Sequence, residues 1–544
     1  MKLHQSIICA MFAAACAWAQ TLATPVILIS IDTLRADHVS AYGYTRIHTP
    51  NIDSLADHGT IFTQADCQTP LTLPSHTSML TSTYPFGNQI EENAEPVPAS
   101  AVTLASVLQS HGYKTAAFIG SVFLERQMGL AAGFDFYDSP FNFDAASAGP
   151  LAGPLAGKDR RDGALVMRAA RQWLAANNTQ PVFAFVHLFD MHKPYPVSYD
   201  EQLKYVDRLM GTFKQSLQQL GLWDRALVIL VSDHGEGLGD HGEASHGYFI
   251  YESTLHVPLI FHWPTGTASH PARVDDPAGL IDVAPTILDF LHLPMPPSFE
   301  GASLLAGRQP VYSESVHARD AFGWSPLRSL RVGPYKYIEA PRPELYNLQT
   351  DPRELTNLYV KGSAKASDLH DQLTKLLARY SPKQPTEAAH DISPGARALL
   401  DSLGYLAPGP RSGSASTTGV DPKDRLPEFR LYEDAWVDIY FHRLDAGIAK
   451  LRQVLTRDPH NLLARRDLGG AYAEKKDYAQ ARTAYREVLA AAPDDYVANY
   501  ELGVADERLG LLAEAKEHLE TACGIAPESQ QSRHELDAVL VKIK

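Results

Sequence analysis

Acidic and imidazole side chains follow three strongly apolar runs of the sequence. Asp32 comes directly after VILISI, and Asp233 and His234 end the run ALVILVSDH. A third run, VFAFVHLFDMH, ends in three more such side chains: His187, Asp190 and His192. In open sheets of parallel strands, ligands bind at the carboxyl edge, where such groups converge. Carboxylate oxygens and imidazole nitrogens are ligands of divalent cations, so the pattern predicts a metal site.

Thr72 lies in the stretch QTPLTLPSHTSMLTS, two residues before a Pro-Ser pair. Pro74 suits the first turn of a helix that we expect to begin near Ser75. At a helix N-terminus, free N–H groups and the helix dipole favour an arriving phosphate or sulfate. A threonine in this place is either a helix cap or, once its hydroxyl is activated, a nucleophile. The local sequence fits both roles equally well.

The apolar runs also indicate the fold that positions these groups. PVILISID, TAAFIG, PVFAFVHLFD and RALVILVSDHG alternate with helical stretches between about Thr24 and Tyr405. Continuous apolar strands of this kind are typical of sheets that are buried on both faces. We therefore predict one α/β domain over residues 24–405, with a largely parallel central sheet.

The C-terminal part of the sequence repeats with a period of 34 residues. Proline recurs at this spacing, at Pro459, Pro493 and Pro527, and the pair Leu468-Gly469 recurs at Leu502-Gly503. The period and the pattern resemble tetratricopeptide repeats, which are helix pairs stacked into an all-α solenoid. Such repeats usually present a groove to a protein or peptide, so we expect a partner there.

The repeat period also divides the end of the chain. We assign repeats to residues 462–493 and 496–527, a degenerate repeat to residues 428–459, and a capping helix to residues 528–544. The Gly- and Ser-rich residues 406–427 predict a flexible linker before them.

The N-terminus has the pattern of a secretory signal peptide. Lys2 gives a basic start, a short apolar run ends at Ala19, and AWA forms a small-x-small cleavage site. The run is shorter than the roughly 18–20 apolar residues that span a bilayer. We predict removal of residues 1–19 and export to the periplasm or the medium. A lipid-modified Cys16 is disfavoured because Ala13 is a poor residue for that signal.

The formal net charge of −15 at pH 7 narrows the classes of partner. Broad binding to nucleic acids or anionic membranes needs a basic face, so we expect no nucleic-acid partner. An anionic substrate is not excluded, because one metal ion can invert the local field. No later segment of the sequence predicts a transmembrane helix.

Several blocks of the chain resemble the sulfatase family of the alkaline-phosphatase superfamily. They are VILISIDTLRADHVSAYGY, TPNIDSLADHGTIFTQAD, TLPSHTSMLTS and VSDHGEGLGDHG, followed by YESTLHVPLIFHWP, IDVAPTILDFL and GPYKYIEAPRPELYNLQTDPRELTNLY. The resemblance covers about residues 25–360, in the family's order. It implies a sulfatase-like α/β sandwich with a smaller C-terminal subdomain at about residues 310–380.

The resemblance also implies roles for the residues described above. Asp32, Asp233 and His234 would be metal ligands, and Thr72 would be both a ligand and the nucleophile. Candidates for leaving-group protonation or oxyanion contact are His192 and His246, and we include the neighbouring His76 in the catalytic set. Mixed oxygen and nitrogen ligands favour Mn²⁺ or Zn²⁺ over Mg²⁺ or Ca²⁺. We favour one ion, although a second metal site or substrate contacts could come from His187, Asp190, His192 and His246.

The chain departs from the family's pattern at three places. Sulfatases carry Cys or Ser at the position of Thr72, followed by x-Pro-Ser-Arg, and oxidise that residue to formylglycine. Threonine cannot give this aldehyde, because its β-carbon bears a methyl group. The family's Arg is replaced by His76, and a block that normally holds Lys and His reads GSVF at residues 120–123.

These departures shift the expected chemistry from sulfate to phosphate. We expect a metal-dependent hydrolase or transferase, without formylglycine, that cleaves phosphate mono- or diesters through a phosphothreonine at Thr72. The alternative is a sulfuric ester hydrolase that lacks formylglycine. A second alternative is a tetratricopeptide binding scaffold whose catalytic domain is weakly active or inactive.

Overall fold

The computed structural model describes residues 23–141, 159–307, 309–381, 419–527 and 529–544. The predicted signal peptide, including Cys16, lies outside these residues, as does the part of the predicted linker up to residue 418. Among the helices of the described ranges, none combines the length and the hydropathy needed to cross a bilayer.

A sheet of nine strands runs through the described part of the N-terminal domain. Its order is β4-β3-β5-β1-β6-β7-β2-β8, with β9 paired to β2. Strands β4, β3, β5, β1 and β6 are parallel, and β7 is antiparallel to both of its neighbours. The strands are β1 Val26–Ile31, β2 Gly59–Asp66, β3 Lys114–Phe118, β4 Phe136–Asp138, β5 Val182–Leu188, β6 Leu227–Val231, β7 His256–His262, β8 Arg273–Val274 and β9 Ala278–Gly279.

Both faces of this sheet are covered by helices. In β1, Val26 and Leu28 belong to one core, whereas Ile27 and Ile29 belong to the other. The helices are α1 Pro50–Asp53, α2 Thr72–Thr81, α3 Pro85–Asn88, α4 Leu104–Ser110, α5 Gly163–Asn177, α6 Tyr199–Gln219, α7 Glu252–Leu255, α8 Val283–Phe290 and α9 His317–Phe322. The predicted α/β fold with a largely parallel central sheet is confirmed.

A smaller antiparallel sheet follows, with the order β10-β11-β12-β13. Its strands are β10 Val311–Ser315, β11 Leu327–Val332, β12 Tyr335–Glu339 and β13 Glu344–Asn347, and helix α10 Ala364–Tyr380 packs against it. These elements occupy the residues where the sequence predicts a smaller C-terminal subdomain.

The C-terminal region consists of helix pairs, as the repeat period predicts. Glycines let the helices of a pair approach closely: a Cβ on Gly469 would lie 2.8 Å from Tyr485, and one on Gly503 would lie 2.7 Å from Leu519. This contact explains why Leu-Gly recurs 34 residues apart. The helices are α11 Leu426–Tyr440, α12 Leu444–Arg457, α13 Leu462–Glu474, α14 Tyr478–Ala491, α15 Tyr496–Arg508, α16 Leu512–Ile525 and α17 Gln530–Ile543.

The first repeat helix, α11, docks onto the α/β domain. The ring of Phe429 stacks on that of Tyr248, with centroids 3.9 Å apart and planes 7° from parallel. The hydroxyl of Tyr248 donates to the carbonyl of Pro422 at 2.9 Å. Pro422 opens a short 3-10 helix, so the last residues of the predicted linker are packed against the domain. The repeat stack therefore shares a core with the α/β domain where it begins.

Candidate active site

Three adjacent parallel strands bring the predicted groups to one edge of the sheet. Strand β1 lies between β5 and β6, and Ser30, two residues before Asp32, is paired with His187. Asp233 and His234 follow the end of β6. The neighbouring strands thus carry side chains that are far apart in sequence to the same place.

Asp32, Asp233 and His234 form a buried group of potential metal ligands. One donor atom of each lies within 4.8 Å of those of the other two, and all three residues are 0% exposed. Three of their atoms are buried without a hydrogen-bond partner, namely Oδ1 of Asp32, Oδ2 of Asp233 and Nε2 of His234. Buried polar atoms are normally satisfied, so these residues fit a bound cation.

The charges of this group are strongly coupled. Burial raises the pKa of Asp32, and the carboxylate of Asp233 raises it further. Burial also acts to raise the pKa of Asp233, but His234 and other nearby imidazoles outweigh burial and lower it. Burial lowers the pKa of His234 to about 4, which leaves its ring neutral and able to bind a metal. Without a bound cation, only one of the two carboxyl groups is therefore stable in its ionised form.

Thr72 is the first residue of α2, and its hydroxyl donates to Oδ2 of Asp32 at 3.2 Å. The N-cap position belongs to Leu71, whose side chain makes no capping bond. The helix begins three residues before the expected start near Ser75, because Pro74 is tolerated anywhere in the first turn, where no backbone N–H is required. The hydroxyl of Thr72 therefore points to the ligand group and does not cap the helix.

His76 lies one turn further along α2 and is completely buried. Its Nδ1 lies 2.7 Å from the carbonyl oxygen of Thr72, and its Nε2 lies 2.8 Å from Oγ of Ser30. Both ring nitrogens are thus used, and burial lowers the pKa of the ring. His76, which we predicted to be catalytic, holds the first turn of α2 against β1 in this arrangement.

His187 lies beside the same carboxylates. Its Nε2 is 3.6 Å from Oδ2 of Asp32, and neither ring nitrogen has a hydrogen-bond partner. It forms a second compact group of potential ligands with His76 and Asp233. Burial lowers its pKa well below the ordinary value, so the ring is neutral.

His192 and His246 lie next to His234. The rings of His234 and His246 have centroids 4.4 Å apart, and those of His192 and His246 have centroids 5.1 Å apart. Nδ1 of His246 lies 3.2 Å from the carboxylate of Glu236, which also accepts from the hydroxyl of Tyr195 at 2.9 Å. Glu236 thus orients His246, whereas burial lowers the pKa of His192 well below the ordinary value.

Comparison with known proteins agrees with this geometry. A family model described as Sulfatase matches residues 24–293, and one described as N-sulphoglucosamine sulphohydrolase, C-terminal, matches residues 239–383. Two tetratricopeptide repeat models match residues 441–499 and 477–529. The chain carries a sulfatase-family domain followed by tetratricopeptide repeats.

Curated relatives of the sulfatase domain are named sulfatases. Arylsulfatase K of Bos taurus is 23% identical over 65% of this chain and 81% of its own length. Delta 4,5-hexuronate-2-O-sulfatase of Bacteroides thetaiotaomicron is 24% identical over 61% of this chain and 84% of its own length. The crystal structure of the phosphonate monoester hydrolase of Agrobacterium radiobacter superposes with a TM-score of 0.54 over 66% of this chain and 96% of that one. At 20% identity, this last likeness shows the fold alone.

The expectation of phosphate ester chemistry through a phosphothreonine is wrong by this comparison, because the relatives are named sulfatases. The sulfatase alternative fits better. The expectation of phosphate depended mainly on the methyl group of Thr72. That methyl group excludes formylglycine, but sulfate and phosphate esters present similar anionic oxygens to a metal and to a helix N-terminus. The residue at this position therefore does not by itself select phosphorus.

Asp190 stands apart from the other predicted ligands of the sulfatase domain. Its Oδ1 accepts from the N–H of Gly163 at 3.1 Å, at the start of α5, and burial raises its pKa to about 6. Within the described residues, the compact ligand groups contain His76, His187, Asp32, Asp233 and His234, but not Asp190. The four residues considered for a second metal site are thus spread over three environments.

A cavity of about 460 Å³ adjoins the sulfatase site. His192 and His246 line it, as does Leu71, which precedes Thr72. The opposite wall comes from α11 of the repeat region. The composite cavity is therefore built by both parts of the chain.

Two groups of site residues were missed by sequence reasoning. The sequence gives only a weak indication of Glu236, which follows His234 by two residues in SDHGEG. It gives no indication of Asn93, whose Oδ1 accepts from the N–H of Leu73 at 2.8 Å. The wall formed by α11 was also missed, because the repeat period describes contacts between helices of the stack and not those with another domain.

Proposed function

We propose that this protein hydrolyses sulfate esters and that Thr72 is its nucleophile. The observation that supports this most directly is the hydroxyl of Thr72 at 3.2 Å from Asp32, in a buried group whose ligand atoms lack partners. The names of the curated relatives favour sulfate as the group transferred.

One divalent ion would be held by Asp32, Thr72, Asp233 and His234. Two carboxylates, a hydroxyl and a neutral imidazole fit Mn²⁺ or Zn²⁺, and Mg²⁺ or Ca²⁺ next. When bound, such an ion acts as a Lewis acid that withdraws charge from ester oxygens and lowers the pKa of a ligating hydroxyl.

The residues of the chain supply a balanced two-step reaction. Oγ1 of Thr72 forms a bond to sulfur as the bond from sulfur to the ester oxygen breaks, and its proton has an acceptor in Asp32. A water molecule then attacks sulfur and the bond to Oγ1 breaks, while Oγ1 takes back the proton held by Asp32. One proton of the water replaces the one that the leaving oxygen received, and sulfate is released with the other. No aldehyde is needed, and none can form on a β-carbon that bears a methyl group.

His246 is the better placed of the two imidazoles to protonate the leaving oxygen. Its Nδ1 lies 3.2 Å from the carboxylate of Glu236, which holds the ring in place, and an imidazole in this position can donate a proton to the leaving oxygen. His192 is neutral because burial lowers its pKa, and its Nδ1 is held 2.7 Å from the carbonyl of Lys193. We assign His192 to positioning the leaving group.

The repeats and the N-terminus complete the proposal. The signal pattern of residues 1–19 supports export to the periplasm or the medium. The tetratricopeptide stack supports a protein or peptide partner on its groove. A full-length fusion to a periplasmic reporter, with and without residues 1–19, tests the export.

The catalytic proposal is tested by substrate choice and by trapping the intermediate. Protein stripped with EDTA and reloaded with Mn²⁺, Zn²⁺, Mg²⁺ or Ca²⁺ is assayed with 4-nitrophenyl sulfate and 4-nitrophenyl phosphate. We expect the sulfate to be turned over faster, and rapid quenching to leave a sulfate adduct on the peptide that contains Thr72. Faster turnover of the phosphate with every metal contradicts the proposal, as does sulfate turnover that survives loss of the Thr72 hydroxyl.

A further inference from the structure

The repeat region contributes one wall of the cavity beside the catalytic residues. We propose that helix α11 forms a subsite for an aromatic leaving group of the sulfate ester. This inference rests on the proposed function and names the class of substrate that the site accepts. This substrate would be a monosulfated aryl ester rather than a polyanionic glycan.

The cavity wall is one face of α11. Phe429, Glu433, Trp436 and Tyr440 line the cavity, at spacings that place them along a single stripe of a helix. Ala435 and Ile439 lie in the core of the repeat stack. The helix therefore has two apolar faces, and only one of them is used for packing within the repeats.

The aromatic side chains on this stripe are arranged for ring contacts. The rings of Trp436 and Tyr440 stack with centroids 5.3 Å apart and planes at 28°. Phe441 meets Tyr440 edge-on, with centroids 5.2 Å apart. Aromatic rings prefer such offset or edge-to-face contacts, so another ring can extend this group.

The subsite joins the catalytic residues through two imidazoles. His192 and His246 line the cavity, and the ring of His246 lies 4.4 Å from that of His234 in the ligand group. A sulfate ester with its sulfur at Thr72 would thus direct its leaving oxygen past His246 and its organic part towards α11.

The charges of the cavity do not suit a polyanion. Its arginine and lysine side chains are engaged: Arg160 donates to the carbonyls of His192 at 3.0 Å and Lys193 at 2.8 Å, and Lys193 donates to the carbonyl of Ala244. Three acidic residues also line it: Asp159, Glu433 and Asp434. The remaining lining is largely apolar, with Leu71, Phe123, Val437 and Phe441 among its members. A volume of about 460 Å³ and such a lining are typical of pockets for small, mostly apolar ligands.

The position of α11 is fixed from the sulfatase side. Phe429 stacks on Tyr248, two residues after His246, and Arg430 donates to the carbonyl of Gly242 in the same loop. Glu433 is hydrogen-bonded to Ser245. The helix thus holds the loop that carries His246, and the subsite has a defined geometry with respect to the catalytic groups.

The test compares Trp436→Ala and Tyr440→Ala with two reference variants. Trp436→Phe keeps a ring in place, and Tyr478→Ala removes a half-buried ring from α14, outside the cavity lining. Substrates are 4-nitrophenyl sulfate, ethyl sulfate and glucose 6-sulfate, and binding of 4-toluenesulfonate is followed separately by isothermal titration. Thermal unfolding of each variant verifies that it folds.

We expect Trp436→Ala to raise KM for 4-nitrophenyl sulfate and Kd for 4-toluenesulfonate about tenfold, a typical loss for a buried aromatic contact. Values of kcat/KM for ethyl sulfate should stay within about twofold, because a small leaving group does not reach the rings. Trp436→Phe should recover most of the loss, and Tyr478→Ala should match the wild type.

Three results would overturn the subsite. They are unchanged aryl binding in both alanine variants, an equal loss for ethyl sulfate, and a larger loss for glucose 6-sulfate than for the aryl ester. If the wild type turns over no sulfate but 4-toluenesulfonate binding still depends on Trp436, the subsite stands and the proposed hydrolysis fails. The two proposals are therefore separable.

Discussion

The strand-edge site and the repeat stack treat buried carboxylates in opposite ways. In the described part of the chain, Asp32 and Asp233 have imidazoles but no lysine or arginine in ion-pair contact. In the repeats, Arg482 pairs with the buried Asp506, and Tyr432 donates to the buried Asp467 at 2.7 Å. Asp506 thus has an arginine partner within the repeats, whereas Asp32 and Asp233 have only imidazoles beside them among the described residues.

The two regions also differ in the sequence separation of the residues that contact one another. The site joins positions 32, 72 and 233, which only the complete sheet brings together. The repeat helices pack against neighbours within one period, as Gly469 and Tyr485 do. Changes in the site should therefore alter chemistry with little loss of fold, whereas changes in the repeats should alter local stability.

The largest expected effect comes from the nucleophile. Thr72→Val removes the hydroxyl and keeps the shape, so we expect sulfate ester turnover to fall by about a thousandfold or more. Steady-state rates with 4-nitrophenyl sulfate measure it. Thr77→Val is the matched control, since its hydroxyl donates to the carbonyl of Leu73 at 2.7 Å, away from the carboxylates. Equal losses in both variants would show that packing of α2, and not the hydroxyl, carries the effect.

A second prediction separates the two kinds of carboxylate within the sulfatase domain. Asp233→Asn should abolish stoichiometric metal binding, measured by elemental analysis, together with the metal-induced rise in stability, about 2.7 kcal/mol when the free ion is at a hundred times its Kd. Asp190→Asn is the control, because Asp190 accepts from the N–H of Gly163 at the start of α5.

Asp190→Asn should cost about 1 kcal/mol or less, as one changed hydrogen bond at the start of α5, and leave the metal content as it is. Loss of one metal equivalent in Asp190→Asn would instead restore the hypothesis of a second ion. Unchanged binding in Asp233→Asn would remove the proposed site.

The junction between the regions should respond with a loss of stability and not of metal binding. Phe429→Ala removes the ring stacked on Tyr248 and should destabilise the docked helix by about 3–5 kcal/mol, as for other buried phenylalanines. Tyr248→Phe removes only the hydrogen bond to Pro422 and should cost about 1 kcal/mol. Hydrogen exchange of residues 240–248 measures both. Protection that is equal in Phe429→Ala and wild type would mean that the loop does not depend on α11.

The last effect is a pH dependence and concerns Glu501, a buried acid of α15 that has no ion-pair partner among the described residues. Burial, aided by Glu535, raises its pKa from an ordinary value of 4.5 to about 8. Between these values the folded chain keeps a proton that the unfolded chain has lost, so stability falls as pH rises, by at most roughly 1.4 kcal/mol per unit. Glu501→Gln should remove this part of the pH dependence, as urea unfolding at pH 5.5 and 7.5 measures. Glu517→Gln, at an exposed position of α16, should leave it unchanged, and a steep slope in Glu501→Gln would refute the assignment.

The strand-edge residues were predictable because each follows an apolar run. Strand β1 ends directly before Asp32, and the neighbouring parallel strand β6 ends at Val231, two residues before Asp233. Asp190 also follows an apolar run, but the chain has turned after β5, and its carboxylate reaches the start of α5. Asp190 and Asp233 both lie two residues beyond a strand end, so the apolar pattern alone does not tell which of them joins the ligand group.

The repeats were predictable for a different reason. Their period records a contact that recurs between the helices of each pair, such as that of Gly503 with Leu519. Trp436 and Tyr440 take part in no such recurrence, because they face the sulfatase domain and not a neighbouring repeat. An interface that occurs only once between two domains produces no repeating pattern in the sequence. The aromatic wall of α11 was therefore found only in the structure.

The stacking of Phe429 on Tyr248 has a consequence for how the chain can be divided. The matches to sulfatase-family models end at residue 383, which invites expression of a fragment that stops there. Such a fragment would lose a wall of the cavity and would expose the rings of Tyr248, Phe322 and Trp324, which contact one another at the docking site. A fragment that keeps this wall and covers these rings therefore continues at least through the helix pair that ends at Arg457.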